Sequence, residues 1–315
     1  MDLENNNNTV VPEFKKEDVD KKRSAPDEDN DGVANIKRLK LSGKATKVEN
    51  AHVPENNKKP VAQSPKKRIQ LSNSKPRINK NETFIFGNYR HYYGKRILDT
   101  DFHDIRLDVL AMQPELFRGK QLLDIGCNSG HFSLEIAKKF EVRSLVGLDI
   151  DRALTSEAQL AVNLLKRSSN ISAATAAGKF PYNVKFVHGN FVLADDVLLE
   201  IERPQFDVIL CLSVTKWIHL NFCDAGLKQA FRRMYLLLHP GGKLILEPQA
   251  FDTYKRRKKL TESIRKNYEA IQFKPDQFTS YLLSQEVGFA DMQLMGVPAH
   301  CQAGFKRPIL IFSKV

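Results

Sequence analysis

From residue 121 onward, short apolar runs of strand length alternate with longer amphipathic runs, and this alternation constrains the fold more than any other feature. The strand-like runs are 121–125 (QLLDI), 144–148, 184–187, 206–212 (FDVILCL) and 243–246. Between them, 130–140, 154–167 and 227–238 have helical character, and 104–112 adds an earlier helix with Ile105, Leu107, Val109, Leu110 and Met112 as its apolar positions. The stretch 168–179 is small and polar and reads as a loop; 292–295 and 308–312 are expected as the last strands. The near-continuous apolar residues of 206–212 fit a strand buried on both faces. Strands alternating with helices predict a doubly wound, mostly parallel α/β sheet. In such sheets ligands bind beyond the carboxyl ends of the strands, so the chemistry is expected in the loops that follow them.

Composition separates this region from what precedes it. Residues 1–82 contain 21 apolar residues and a single aromatic, Phe14, out of 28 aromatics in the chain. So few apolar groups cannot offset ordering entropy, and 1–82 is expected to be a disordered tail. Residues 83–315 are expected to form one domain. No run approaches 18 consecutive apolar residues, so no transmembrane helix or membrane role is expected, and the acidic, Asn-rich start does not resemble a secretory signal.

The net charge of +12 is unevenly spread: −5 over 1–32, +10 over 33–82 and +7 over the remainder. A basic arm on a basic domain favours a polyanionic partner over a merely solubilising tail, because cationic side chains release counterions from phosphates. Basic clusters at 21–23, 37–40 and 65–68 read as nuclear import signals or RNA-binding arms, and a nuclear location is expected. Cys127, Cys211, Cys223 and Cys301 show no metal-ligand spacing, and the eight histidines form no H-E-x-x-H pattern. Free thiols and no metal are expected.

The first strand leads into Asp124-Ile125-Gly126-Cys127-Asn128-Ser129-Gly130, where glycines permit a tight turn and close approach of backbone to a ligand. Asp149 ends the second strand, placed to accept both ribose hydroxyls of an adenosine. The alternative, a carboxylate capping the next helix, fits Asp151 better. Gly189-Asn190-Phe191 after the third strand suits the edge and face of an adenine, and Pro240-Gly241-Gly242 introduces the fifth strand. This series, spanning 122–315, resembles the class I S-adenosylmethionine-dependent methyltransferases, a Rossmann-like fold. Asn128 departs from that pattern, standing where the family's loop has its middle glycine.

Further segments narrow the resemblance. They are 86–96 (FGNYRHYYGKR), 126–131 (GCNSGH), 210–221 (LCLSVTKWIHLN), 247–249 (EPQ), 254–259 (YKRRKK) and 273–278 (FKPDQF). Together they are similar to the RNA 5′-methylphosphate capping methyltransferases, and within that family to the enzymes acting on 7SK small nuclear RNA. The resemblance implies methyl transfer from S-adenosyl-L-methionine to the γ-phosphate of an RNA 5′-triphosphate, leaving S-adenosyl-L-homocysteine. It implies cofactor contacts from Tyr93, Arg106, Gly126, Cys127, Asn128, Asp149, Ile150, Asn190, Phe191 and Leu212. Tyr92 and Lys216 would act on the reacting phosphate, with Arg96 and Trp217 binding phosphate or RNA. The run Lys255, Arg256, Arg257 and Lys258 would clamp RNA backbone; its plainer reading is a solvated helix start.

Plainer readings stand beside the others too. Tyr92 and Tyr93 could be packing aromatics, Asn88 a turn cap, and Trp217, on a loop after its strand, a core residue. His131 and His219 receive no role, and Cys127 is a backbone contact, not a nucleophile. A family branch acting on 5′-monophosphate RNA is the nearest alternative. A scaffold that stays on its RNA with protein partners in a ribonucleoprotein is another, and a monomer is the default expectation. A protein or small-molecule substrate is disfavoured by the charge distribution.

Overall fold

In the computed structural model of the chain, residues 84–89, 104–169, 178–301 and 307–315 are described. The expected tail, 1–82, lies outside them. The sheet has seven strands: β1 (Gln121–Ile125), β2 (Ser144–Asp149), β3 (Val184–His188), β4 (Phe206–Leu212), β5 (Leu238–Glu247), β6 (Asp291–Leu294) and β7 (Leu310–Ser313). Their order is β3-β2-β1-β4-β5-β7-β6. Strands β1 to β5 are parallel, and β7 runs antiparallel between β5 and β6.

The alternating side chains of the central strands build two cores. Leu122, Val208, Leu210 and Ile245 pack on one face with helices α1 (Arg106–Leu110), α2 (His131–Lys139) and α3 (Arg152–Ser168). Leu123, Ile209, Cys211, Leu244 and Leu246 pack on the other with α4 (Thr215–Leu237) and α6 (Phe278–Leu282). A strand apolar at every position from Val208 to Leu212 thus supplies both layers, which explains why that stretch shows no polar alternation. A third, smaller cluster joins Leu220 of α4 and Tyr254 to Ile264 of α5 (Glu262–Ala270), with Ile85 and Trp217 against it. Among the described residues no helix is long and apolar enough to cross a membrane.

Several expectations need correction. Helix α4 begins at Thr215, not at 227, and is broken at Cys223 (φ 53°, ψ −165°). Lys216 and Trp217 therefore sit on the first helical turn, not on a loop. Val214, its N-cap residue, offers no capping side chain. Gln249 supplies the acceptor instead: its Oε1 takes the Lys216 N–H (3.1 Å) and the Thr215 hydroxyl (3.2 Å). A cap brought from 33 residues away leaves no local signature. The basic run at 255–258 does not start a helix; it follows the 3-10 turn Phe251–Tyr254, and α5 begins only at Glu262.

Candidate cofactor cleft

The carboxyl ends of β1, β2, β3 and β4 surround one cleft, the place where parallel α/β sheets bind ligands. Its floor is the loop from β1 to α2. Gly126 has φ +74°, and a Cβ there would lie 2.5 Å from a methyl of Val214. Asn128 also adopts the left-handed conformation, φ 53°. Apart from glycine, asparagine is among the residues that tolerate it best, which explains how it replaces the family's glycine. Its side chain also works: Oδ1 accepts the Ser129 N–H (2.8 Å), and Nδ2 donates to the carbonyl of Tyr89 (3.3 Å).

Asp149, at the end of β2, accepts the N–H of Asn128 (2.8 Å) on one oxygen and that of Asp151 (2.9 Å) on the other. Burial raises its pKa, and these two bonds oppose the rise. Each carboxylate oxygen keeps capacity for a second donor, which suits a ribose diol. Asp151 caps α3 through the N–H groups of Ala153 and Leu154.

Arg106 lines the cleft with its guanidinium already held by two carboxylates. Nε and one terminal nitrogen fork onto Asp104 (3.0 and 2.6 Å), and the other reaches Glu247 (3.3 Å). The Ser213 hydroxyl donates to Glu247 (2.6 Å), and Arg307 lies 2.9 Å from Ser213 Oγ. Asp124 stands beside this network. Burial pushes its carboxyl up to about 6, against the Ser133 hydroxyl bond (2.5 Å) and the charge of Arg106. Because the folded value exceeds the unfolded one of about 3.9, the native state binds the extra proton. Unfolding free energy is therefore expected to fall as pH rises from about 4 to about 6. Urea titrations of cofactor-free protein across this range should show Asp124→Asn with a flatter profile; parallel profiles would contradict the buried carboxyl.

The segment 84–89 closes one side. Asn221 donates to the carbonyl of Ile85 (2.8 Å), and Asn88 donates to Asp151. Trp217 lies directly against Gly87, where a Cβ would come within 2.1 Å of the indole, and edge-on to Tyr89 at 5.9 Å. The tryptophan is thus part of the cleft wall. Lys216 is beside the cleft, buried, with Nζ 5.4 Å from the Trp217 ring centroid. Arg257 stacks on Tyr89 (5.3 Å) and Lys258 on Tyr268 (4.9 Å), while exposed Lys255 pairs with Asp252 and Arg256 is exposed. The Arg257–Tyr89 contact joins the basic run to the cleft's rim.

Of the expected cofactor residues, Arg106, Gly126, Asn128, Asp149, Ile150, Asn190, Phe191 and Leu212 all line the cleft. Cys127 does not: it is buried under the loop, its N–H turned to the carbonyl of Leu148 (3.2 Å), and burial raises its thiol pKa. Tyr92, Tyr93 and Arg96 lie outside the described residues. His219 is buried, bonded to Asp224 (2.7 Å), with burial lowering its pKa. Asp124 and Glu247 received no role from the sequence. A carboxylate within the apolar run QLLDI, and another ending the fifth strand, were the available signals.

The cleft fits S-adenosylmethionine. Its lining carries Asp149, suited to the ribose diol, and Asp124, an acidic group suited to the cationic end of the cofactor. The Asn88 Oδ1 acceptor, which lines the cleft, is buried without a partner among the described residues.

A family model described as Bicoid-interacting protein 3 (Bin3) matches residues 206–314, and one described as a methyltransferase domain matches 123–244. The chain is 65% identical to the U6 snRNA methylphosphate capping enzyme Amus of Drosophila melanogaster, over 100% of both chains. It is 42% identical to the 7SK snRNA methylphosphate capping enzyme of Homo sapiens, covering 73% of this chain and 39% of that one. With the human RNA 5′-monophosphate methyltransferase it shares 31% identity over 54% of this chain and 60% of the other.

Proposed function

This chain belongs to the methylphosphate capping family of S-adenosylmethionine-dependent RNA methyltransferases, and on that premise we propose that it adds one methyl group to the γ-phosphate of a small nuclear RNA 5′-triphosphate. The observation that carries the reading is the full-length similarity to a U6 RNA capping enzyme. That similarity favours a U6-type RNA over the 7SK type implied by the sequence segments.

When bound, S-adenosylmethionine supplies an electrophilic methyl group on a sulfonium. The protein's task is alignment and charge management. A phosphate oxygen is already anionic near neutral pH, so no general base is required, and orientation accounts for several kcal/mol of rate enhancement. Carboxylates on the cleft floor hold cationic groups and repel phosphates, keeping the triphosphate at the mouth. By the family resemblance Tyr92, Arg96 and Lys216 are the donors to the reacting phosphate, and the basic run 255–258 holds RNA backbone. Trp217 walls the cofactor from the RNA side.

The test is transfer of labelled methyl to one RNA bearing a 5′-triphosphate, 5′-monophosphate or 5′-hydroxyl. Label on the triphosphate RNA, removed with its γ-phosphate, is the expected result. Label on monophosphate RNA alone would move the chain to the branch represented by the 31% identical relative. Retention of the product in a ribonucleoprotein by a monomeric enzyme is part of the proposal. In the same assay, neutralising 255–258 should release product RNA while cofactor affinity is kept; unchanged retention would remove that part. Nuclear residence is proposed from the basic clusters of 1–82, and a fluorescent fusion lacking them should be excluded from the nucleus.

A further inference from the structure

Away from the cleft, three side chains of different elements converge on one point. Asp108 lies on α1, and His300 and Cys301 lie on the 3-10 turn Ala299–Cys301 between β6 and β7. Nε2 of His300 is 3.3 Å from Asp108 Oδ2, Sγ of Cys301 is 3.9 Å from the same oxygen, and all three atoms lie within 4.8 Å of one another. We propose that Asp108, His300 and Cys301 form a binding site for a zinc-class divalent cation, with water as the fourth ligand.

Nitrogen and oxygen ligands each about 2.0–2.1 Å from a tetrahedral zinc stand about 3.3–3.4 Å apart, and sulfur and oxygen about 3.6 Å apart. The first spacing is met as it stands, the second needs a shift of a few tenths of an ångström, and the His300–Cys301 pair, which lies within 4.8 Å, has to come to about 3.6 Å through rotation of the exposed His300 side chain. The donor set of thiolate, imidazole and carboxylate is one that zinc favours and that magnesium and calcium do not. Oδ2 of Asp108 is the oxygen that faces the other two ligands; exposed Lys139, 3.7 Å from Oδ1, has to turn its charge into solvent when the cation binds. His300 is 70% exposed, so a hydrated ion has an entry path, while Cys301 is buried.

Burial and Asp108 together raise the Cys301 thiol, so the site without metal is protonated. Binding releases that proton to solvent as the sulfur–metal bond forms, and affinity should rise with pH. A cation here would fasten the β6–β7 connection to α1, two residues from Arg106 in the cleft wall. No spacing rule exposes this triad, since 192 residues separate Asp108 from His300.

The experiment uses the untagged full chain, stripped with a chelator and titrated with Co²⁺ and then Zn²⁺. One equivalent of Co²⁺ should produce a thiolate-to-cobalt charge-transfer band, which Zn²⁺ abolishes. Cys301→Ser should lose the band, and His300→Ala should weaken Co²⁺ binding at least about tenfold, as expected for loss of one of three protein ligands. No band in the natural chain, or a band surviving Cys301→Ser, would overturn the proposal and leave an ordinary His–Asp pair. Should Cys301→Ser fail to fold, the exposed His300→Ala decides alone, and an unchanged Co²⁺ affinity in it counts against the site.

Discussion

Replacing Arg106 by methionine is expected to lower the thermal unfolding midpoint by about 10 °C. Arg106 is almost fully buried, and so are the two carboxylates it holds, Asp104 and Glu247. Methionine fills much of its volume but takes the guanidinium away from both acids, leaving Glu247 only the more distant Arg307 at 3.9 Å. Removing one partner of a buried ion pair typically costs about 3–5 kcal/mol, and in a domain of this size each kcal/mol shifts the midpoint by about 2–4 °C. The loss should appear without cofactor, because the network belongs to the apo fold. Arg106→Lys keeps the charge but not the fork, and it should fall between the two. A shift below about 3 °C for Arg106→Met would show that the acids are already neutral or solvated.

The second large effect is on cofactor affinity. Asp149→Asn should weaken S-adenosylmethionine binding about 100-fold while the unfolding midpoint of the apo protein changes little. Asp149 orders the glycine loop through the N–H groups of Asn128 and Asp151. An amide keeps one acceptor and turns an NH₂ towards the other N–H. Hydrogen bonds to a charged group are each worth about 1.5–3 kcal/mol, and about 2.7 kcal/mol corresponds to a factor of 100. The apo fold is spared because the substitution also removes the cost of burying a charge, the same cost that raises the Asp149 pKa. Calorimetric titration with the cofactor measures the first effect and thermal unfolding the second. An unchanged affinity would exclude Asp149 from the cofactor site.

Much of the sheet and most of the cleft were legible because local rules govern them. Runs such as FDVILCL are buried on both faces, so hydrophobicity alone identifies them, and β1 and β4 have the expected bounds. Asp149, Asn190 and Phe191 were found because parallel sheets place ligands at strand ends. Helix α5, ESIRKNYEA, escaped notice because only Ile264 is buried in it, and one buried position carries no periodicity. Trp217 was placed on a loop because the helix start depends on Gln249, far along the chain. Glu247 was quoted without a role, since its partners Arg106 and Ser213 come from distant elements.

The division follows from the range of the interactions. By itself the sequence determined the strand and helix runs, the glycine loop after the first strand, and the Asp151 cap, because each depends on neighbours within a few residues. Only the tertiary structure decided that β7 enters between β5 and β6, that Arg106 reaches Glu247, and that Asp108 meets His300 and Cys301. Those arrangements pair groups separated by tens to hundreds of residues. Burial and charge balance select them once the chain is compact, and no local pattern records them.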